Sequence, residues 1–161
     1  MTKEEIYNFL NNKNISYEIT EHGAVYNMED LSAVELPYPD SDAKNLFVRD
    51  DKRLNYYLIT VKGSKRVDLK KFRKDNGTRV LSFASAEDLM SILALTPGSV
   101  TPLGLLNEKE VSVKFYIDKD FVNENLIGIH PNDNTATIWL KTEDLLAIIK
   151  EHGNPVNVVE I

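Results

Sequence analysis

Cysteine is absent from the chain, which excludes disulfides, thiolate metal ligands and a cysteine nucleophile. Histidine is scarce: His22, His130 and His152 are the whole supply, and no two lie close in sequence. A histidine-based metal site would therefore need carboxylates from elsewhere. There is no Gly-x-Ser-x-Gly elbow for a serine nucleophile. The glycines of Gly98-Ser99-Val100-Thr101-Pro102-Leu103-Gly104 are not followed by Lys-Ser/Thr at phosphate-loop spacing, so the stretch reads as a loop with turn glycines. No apolar run approaches the length that spans a bilayer. The opening Met1-Thr2-Lys3-Glu4-Glu5 is too polar for a secretory signal, and the expected location is the cytoplasm. Positive charge is also short, with a formal net charge of −6. That argues against a protein that coats a nucleic-acid backbone. It leaves open contact with one end of an RNA through a local patch. The 25 acidic residues fall into no recognisable acid/base pair.

What is present suits one domain over residues 1–161. The hydrophobic fraction is 42% and the charged fraction 27%, enough for a real core. Thr2 and Glu5 form a capping box for a first helix, with Ile6, Phe9 and Leu10 on one face. Ile15 to Ile19 alternates as a strand. Asn27 to Leu36 reads as a short helix with Met28, Leu31 and Val34 at three-residue spacing, closed by Pro37 and Pro39. Ala43 to Arg49 and Leu54 to Val61 form a hairpin around a tight turn at Asp50 to Arg53. A basic helical turn over Asp68 to Lys74 ends at Asn76-Gly77. Val80 to Phe83 reads as a short strand, and a helix runs from Ser85 to about Leu93. Val111 to Ile117 alternates as a half-buried strand. Thr142-Glu143-Asp144 caps a last helix that buries Leu145, Leu146, Ile148 and Ile149 and stops at Gly153. Asn154 to Ile161 adds a final short strand. This order predicts an α+β fold rather than a regular βαβ array.

Three stretches are candidates for chemistry. In Leu126-Ile127-Gly128-Ile129-His130-Pro131-Asn132-Asp133-Asn134 an apolar run stops at a histidine. Pro131 stiffens the chain there, and the short polar residues that follow favour a turn into the strand Thr135–Leu140. His130 thus sits at a sheet rim, as a hydrogen-bonded structural residue or as part of a site. Lys44 enters a strand ahead of Leu46-Phe47-Val48. A lysine there is either a solvated edge residue that blocks edge pairing or a placed cation. The basic run Lys62 to Lys74 is a solvated amphipathic turn with Leu69 and Phe72 inward, or a phosphate-contacting patch.

Taken in order, Lys44-Asn45-Leu46-Phe47-Val48-Arg49-Asp50, then Gly98-Ser99-Val100-Thr101-Pro102-Leu103-Gly104-Leu105, then Gly128-Ile129-His130-Pro131-Asn132 resemble the YbaK-like family. These are freestanding tRNA-editing proteins related to the editing domain inserted in prolyl-tRNA synthetases. Each motif alone is weak, the ordered set is specific, and the likeness spans essentially the whole chain. It is nearest to the deacylases that hydrolyse alanine mischarged onto proline tRNA. The resemblance implies a mixed, strongly bent β-sheet surrounded by helices. It implies hydrolysis of the ester at the tRNA 3′ end, with no metal and no cofactor. By analogy Lys44 is the essential residue, and His130 with Gly128 forms one rim. Gly98, Thr101 and Pro102 shape the wall beside the ester, and Asn45 and Asn132 join the substrate contacts. Met28 and Leu31 line the amino-acid pocket.

The implied chemistry suits the residues. An aminoacyl ester is already activated and needs no strong nucleophile. A protonated lysine has no lone pair, so it positions a phosphate or an oxyanion rather than acting as a base. Water would be activated by the substrate's own neighbouring ribose hydroxyl, with backbone N–H groups near Gly98 as oxyanion donors and His130 orienting. Selection would be by size, since a small pocket rejects bulk more strongly than it rewards a methylene. The implied partner is the acceptor 3′ end of an aminoacyl-tRNA, with prolyl-tRNA synthetase a candidate second partner, and neither DNA nor a membrane is implied. Competing readings are a deacylase for Cys-tRNA(Pro) or Ser-tRNA(Ala), and a non-catalytic module that binds tRNA or a synthetase.

Overall fold

Local sequence chemistry sets most element ends. The computed structural model describes residues 1–27, 29–30 and 34–161. Helix α1 (Lys3–Asn12) opens on the expected capping box: the Thr2 hydroxyl accepts from the Glu5 N–H and the Glu5 carboxylate from the Thr2 N–H. Ile6 and Leu10 are fully buried on its inner face. Strand β1 (Tyr17–Glu21) follows, two residues later than the alternation predicts. The Ile15 N–H is still held by the Leu10 carbonyl, so the end of α1 consumes those residues. The helix expected over Asn27–Leu36 lies partly outside the described residues, Met28 and Leu31 included.

Strands β2 (Ala43–Asp50) and β3 (Tyr56–Lys62) form the expected hairpin, in register Lys44↔Val61 and Phe47↔Leu58. Asp50 ties the turn by accepting from the Leu54 N–H and the Asn55 amide. Helix α2 (Leu69–Asn76) is capped by Asp68 and stopped by Gly77 at φ 66°. Strand β4 (Leu81–Phe83) pairs with β2, and helix α3 (Ala86–Leu93) starts on the Ser85 cap. A 3₁₀ segment over Pro102–Asn107 leads towards β5 (Lys114–Asp118), then α4 (Lys119–Glu124), β6 (Ile127–Ile129) and β7 (Ala136–Leu140). Helix α5 (Thr142–His152) and β8 (Val156–Val159) complete the chain.

Two expectations fail for tertiary reasons. Residues 111–113 are not strand. Val111 sits at φ 56°, and the Glu108 carboxylate takes the N–H groups of Ser112 and Val113 in place of a neighbouring strand. Thr142 does not cap α5. Its hydroxyl is buried and donates to the Phe121 carbonyl, while Asn125 accepts from the Glu143 N–H.

Among the described residues the strands form two sheets, β1-β7-β6 (antiparallel) and β4-β2-β3-β5-β8 (mixed). A single parallel bridge, Asp42 to Gly128, joins them. The expected single mixed sheet is thus two sheets flanked by helices, meeting at this bridge. The main core lies between the sheets and α1, α3 and α5, with Phe47, Leu58, Phe115 and Ile138 in it. A second cluster fills the other face of the larger sheet, where Val48, Tyr57, Ile59 and Val61 meet Phe72 of α2. No helix of the described residues is long and apolar enough to cross a membrane.

Candidate active site

The junction between the sheets leaves a gap. On the edge of β2 that faces away from β3, β6 touches only at Asp42 and β4 begins pairing only at Val48. The Ala84 N–H still reaches the Phe47 carbonyl at 3.0 Å, so residues 43–46 present a strand edge with no strand partner among the described residues. A cleft of about 180 Å³ opens there, lined by Val25, Tyr26, Asn27, Ala43, Lys44, Asn45, Gly98, Val100 and His130. The three sequence motifs, far apart in the chain, each deliver residues to this one hollow.

Lys44 is half-buried at the start of β2. Its ammonium donates to the Lys65 carbonyl, and no carboxylate pairs with it among the described residues. Burial, and then the nearby Arg66 guanidinium, hold its pKa below the usual lysine value. It is a cation with donors left over and no carboxylate counter-ion among the described residues, which is what an incoming anion requires. Asn45 accepts from the buried Thr60 hydroxyl through its amide oxygen at 2.6 Å, which turns its NH₂ outward as a donor.

His130 ends β6. Its Nδ1 lies 2.8 Å from the Ala136 carbonyl. A carbonyl only accepts, so Nδ1 carries the proton and the neutral ring has its lone pair at Nε2. Burial is the main force lowering its pKa, reinforced by His22, whose ring stands edge-on at 6.0 Å. His22 is itself fixed between the Gly23 carbonyl and the Thr137 hydroxyl.

Gly98 has φ 90°, and a Cβ there would come within 2.9 Å of the Tyr26 ring and 3.3 Å of the Val25 carbonyl oxygen. Only glycine lets this loop lie directly on the 25–26 backbone. The Ser99 N–H is spent on the Thr96 carbonyl. The N–H groups of Gly98 and Val100 have no partner among the described residues and are candidate oxyanion donors.

The remaining expected site residues stand behind the cleft. Thr101 is fully buried and donates to the His130 carbonyl at 2.7 Å, tying the glycine loop to the histidine strand. Pro102 starts the 3₁₀ segment beneath. Gly128 packs under Trp139 and makes the bridge to Asp42. Asn132, at φ 61°, donates to the Met1 carbonyl and shapes the turn. Met28 and Leu31 lie outside the described residues. Sequence reasoning passed over Tyr26, an aromatic in a polar loop, and the buried Asp42. Burial raises the Asp42 carboxyl to about 7.

The basic run divides. Lys62 pairs with Glu124, Lys65 with Asp118 and Asp120, and Lys71 with Asp75. Arg66, Lys70, Arg73 and Lys74 are exposed, Arg66 being the one whose charge reaches Lys44. No cluster of three or more His, Asp or Glu side chains among the described residues has metal-binding geometry.

Comparison with known proteins places the chain in a family. The family model described as aminoacyl-tRNA editing domain matches residues 22–148. The "Prolyl-tRNA editing protein ProX" of Acetoanaerobium sticklandii is 36% identical over 159 residues, covering 99% of this chain and 97% of that protein. The "Prolyl-tRNA synthetase associated domain-containing protein 1" of Mus musculus is 31% identical over 144 residues, covering 87% and 85%. A solved structure described as a candidate trans-editing enzyme for prolyl tRNA synthetase shares the fold at a TM-score of 0.70 and 20% identity, covering 99% of this chain and 96% of that one. The chain therefore belongs to the aminoacyl-tRNA editing domain family and is, on that membership, an aminoacyl-tRNA deacylase.

Proposed function

We propose that the protein removes alanine mischarged onto proline tRNA, acting on the free aminoacyl-tRNA rather than within a synthetase. The observation that carries this reading is the single small cleft lined by Lys44, Gly98 and His130. In this reading the Lys44 ammonium holds the phosphate of the terminal nucleotide. The ester carbonyl points at the unpaired N–H groups of Gly98 and Val100. A water, polarised by the ribose hydroxyl beside the ester, adds through oxygen to the carbonyl carbon. Negative charge moves onto the former carbonyl oxygen, where those N–H groups stabilise it. Collapse breaks the bond to the ribose oxygen, which takes a proton, and alanine leaves. His130 accepts a hydrogen bond at Nε2 and fixes the ribose or the water. No strong base is needed, because the ester is already activated.

In this reading selection is by exclusion: alanine enters and the proline ring does not. Prolyl-tRNA synthetase is a proposed partner, supported by the name of the Mus musculus relative. The test is a panel of Ala-, Cys- and Ser-charged tRNAs with wild type and Lys44→Ala in single-turnover assays. Ala-tRNA(Pro) should be hydrolysed preferentially, and Lys44→Ala should lose that activity with an unchanged circular dichroism spectrum. Near-normal turnover by Lys44→Ala would reject the assignment, and preference for Cys- or Ser-tRNA would move the substrate.

A further inference from the structure

Beyond the cleft, across the Tyr26–Gly98 contact, lies a second hollow of about 360 Å³. The two share Tyr26, Asn45, Gly98 and Val100 as a common wall. It is also lined by Phe83 and by Ala84–Ala86, where β4 leads into α3. Phe83 is 63% exposed and Tyr26 67% exposed. Neither ring is committed to the core, although Leu81, on the same face of β4, is buried. None of the residues lining this groove carries a formal charge, whereas Lys44 and, near it, Arg66 flank the cleft. A phosphate has no cation in the groove, but a flat, uncharged ring does have faces to lie against there.

We propose that this groove binds a nucleobase at the single-stranded 3′ end of the substrate, with Phe83 and Tyr26 as stacking faces and the Asn45 NH₂ directed at the base edge. The inference rests on the deacylase reading above and adds to it the part of the nucleotide that the cleft does not hold. A nucleotide carries its base on one side of the sugar and its phosphate on the other. The same division appears along β2: an uncharged aromatic groove beside Leu46 and Phe47, and cations beside Lys44. Stacking is tolerant of base identity because every base presents a π-face. The groove would therefore add affinity without reading which tRNA is bound.

The test uses full-length protein and an acceptor-stem RNA whose terminal adenine is replaced by 2-aminopurine, a base whose fluorescence falls on stacking. Wild type should quench the probe on binding. Phe83→Ala, a change at an exposed position and so compatible with folding, should weaken binding about tenfold. It should raise KM for Ala-tRNA(Pro) by a similar factor while kcat changes by less than about twofold. Phe83→Trp should restore both. Unchanged quenching and KM in Phe83→Ala, in an enzyme that still deacylates, would overturn the groove and leave the reaction standing. Loss of synthetase binding with KM unchanged would likewise overturn it, in favour of a protein contact. A wild-type protein that quenches the probe but hydrolyses no mischarged tRNA would instead overturn the reaction and retain the groove.

Discussion

Gly128 is the position at which one methyl group should cost most. It faces Trp139 directly in the β6–β7 ladder. A Cβ built on Gly128 would fall 2.2 Å from Trp139 Cζ3, 2.5 Å from Cε3 and 2.8 Å from Cη2. Ordinary carbon contacts lie near 3.5–4.0 Å, so the ring or the strand has to move by more than an ångström. The ring is not free to do so. Its Nε1–H donates to the Thr20 hydroxyl at 2.9 Å, and Tyr38 stands edge-on to it at 5.4 Å. Overpacking a filled site costs about 1–3 kcal/mol, and losing the indole hydrogen bond adds about 1 kcal/mol. Gly128→Ala should therefore lose roughly 2–4 kcal/mol.

Trp139 is the only tryptophan in the chain, so its fluorescence reports both the unfolding transition and the local repacking. Urea denaturation followed at the indole emission is the direct assay. The second consequence is functional. If β6 yields instead of the ring, the Asp42 bridge opens and His130, two residues on, shifts with it. In that case kcat/KM falls even where stability is spared, because an ångström of misplacement is worth up to about 100-fold. A variant within about 0.5 kcal/mol of wild type, with the same emission maximum and the same kcat/KM, would refute the reasoning.

Two titrations follow from the buried groups. Neutral His130 offers its Nε2 lone pair, and burial lowers its pKa below 6.5. The acid limb of kcat/KM should therefore have a midpoint below 6.5. His130→Ala should remove that limb and cost roughly 10- to 100-fold in kcat/KM without abolishing activity; complete loss of activity would refute the orienting role. Stability follows the same sign: below about 6.5 the unfolded chain binds the proton more readily, so His130 makes the fold less stable as pH drops towards its folded value. Asp42 works in the opposite sense. Its carboxyl is raised from 3.8 to about 7, so the native state keeps a proton that the unfolded chain releases, and stability is lost as pH rises through that interval. Asp42→Asn should match wild type near pH 4 and exceed it by up to roughly 4 kcal/mol above pH 7. A melting-temperature difference that stays constant between about pH 4 and pH 8 would refute this.

What the sequence made legible was mostly local. The Thr2–Glu5 box, the Asp68 and Ser85 caps and the Gly77 and Gly153 stops each depend on groups within one turn of the chain. The β2–β3 hairpin is readable because Leu54 to Val61 is rich in β-forming Tyr and Ile and a short polar turn joins it to Ala43–Arg49. The misreadings have distant causes. The Val111 alternation looks like strand, but the Glu108 carboxylate and the Asn154 amide take over the hydrogen bonds that a ladder would have supplied. Thr142 looks like a cap, but its hydroxyl is claimed by Phe121. No window of sequence contains those partners.

The site shows the same division more sharply. Lys44, Asn45, Gly98 and His130 could be singled out by motif, but nothing in any one motif explains why they should meet. They meet because β2 has a gap, and the gap has two limits. At one end β4 and the Ala84 N–H that follows it hold β2 only down to Phe47. At the other, β6 reaches this edge only through the Asp42–Gly128 bridge, while on its other side Gly128 pairs with β7 because it has no side chain to strike Trp139. Tyr26 and Asp42 escaped sequence reading for this reason: one borders the gap and the other is buried at its end, and neither role exists until the two sheets join. Gly128 thus acts at a distance. It carries both the bridge to Asp42 and the close contact with Trp139, two residues before His130, so a residue with no functional group of its own helps to place one that has.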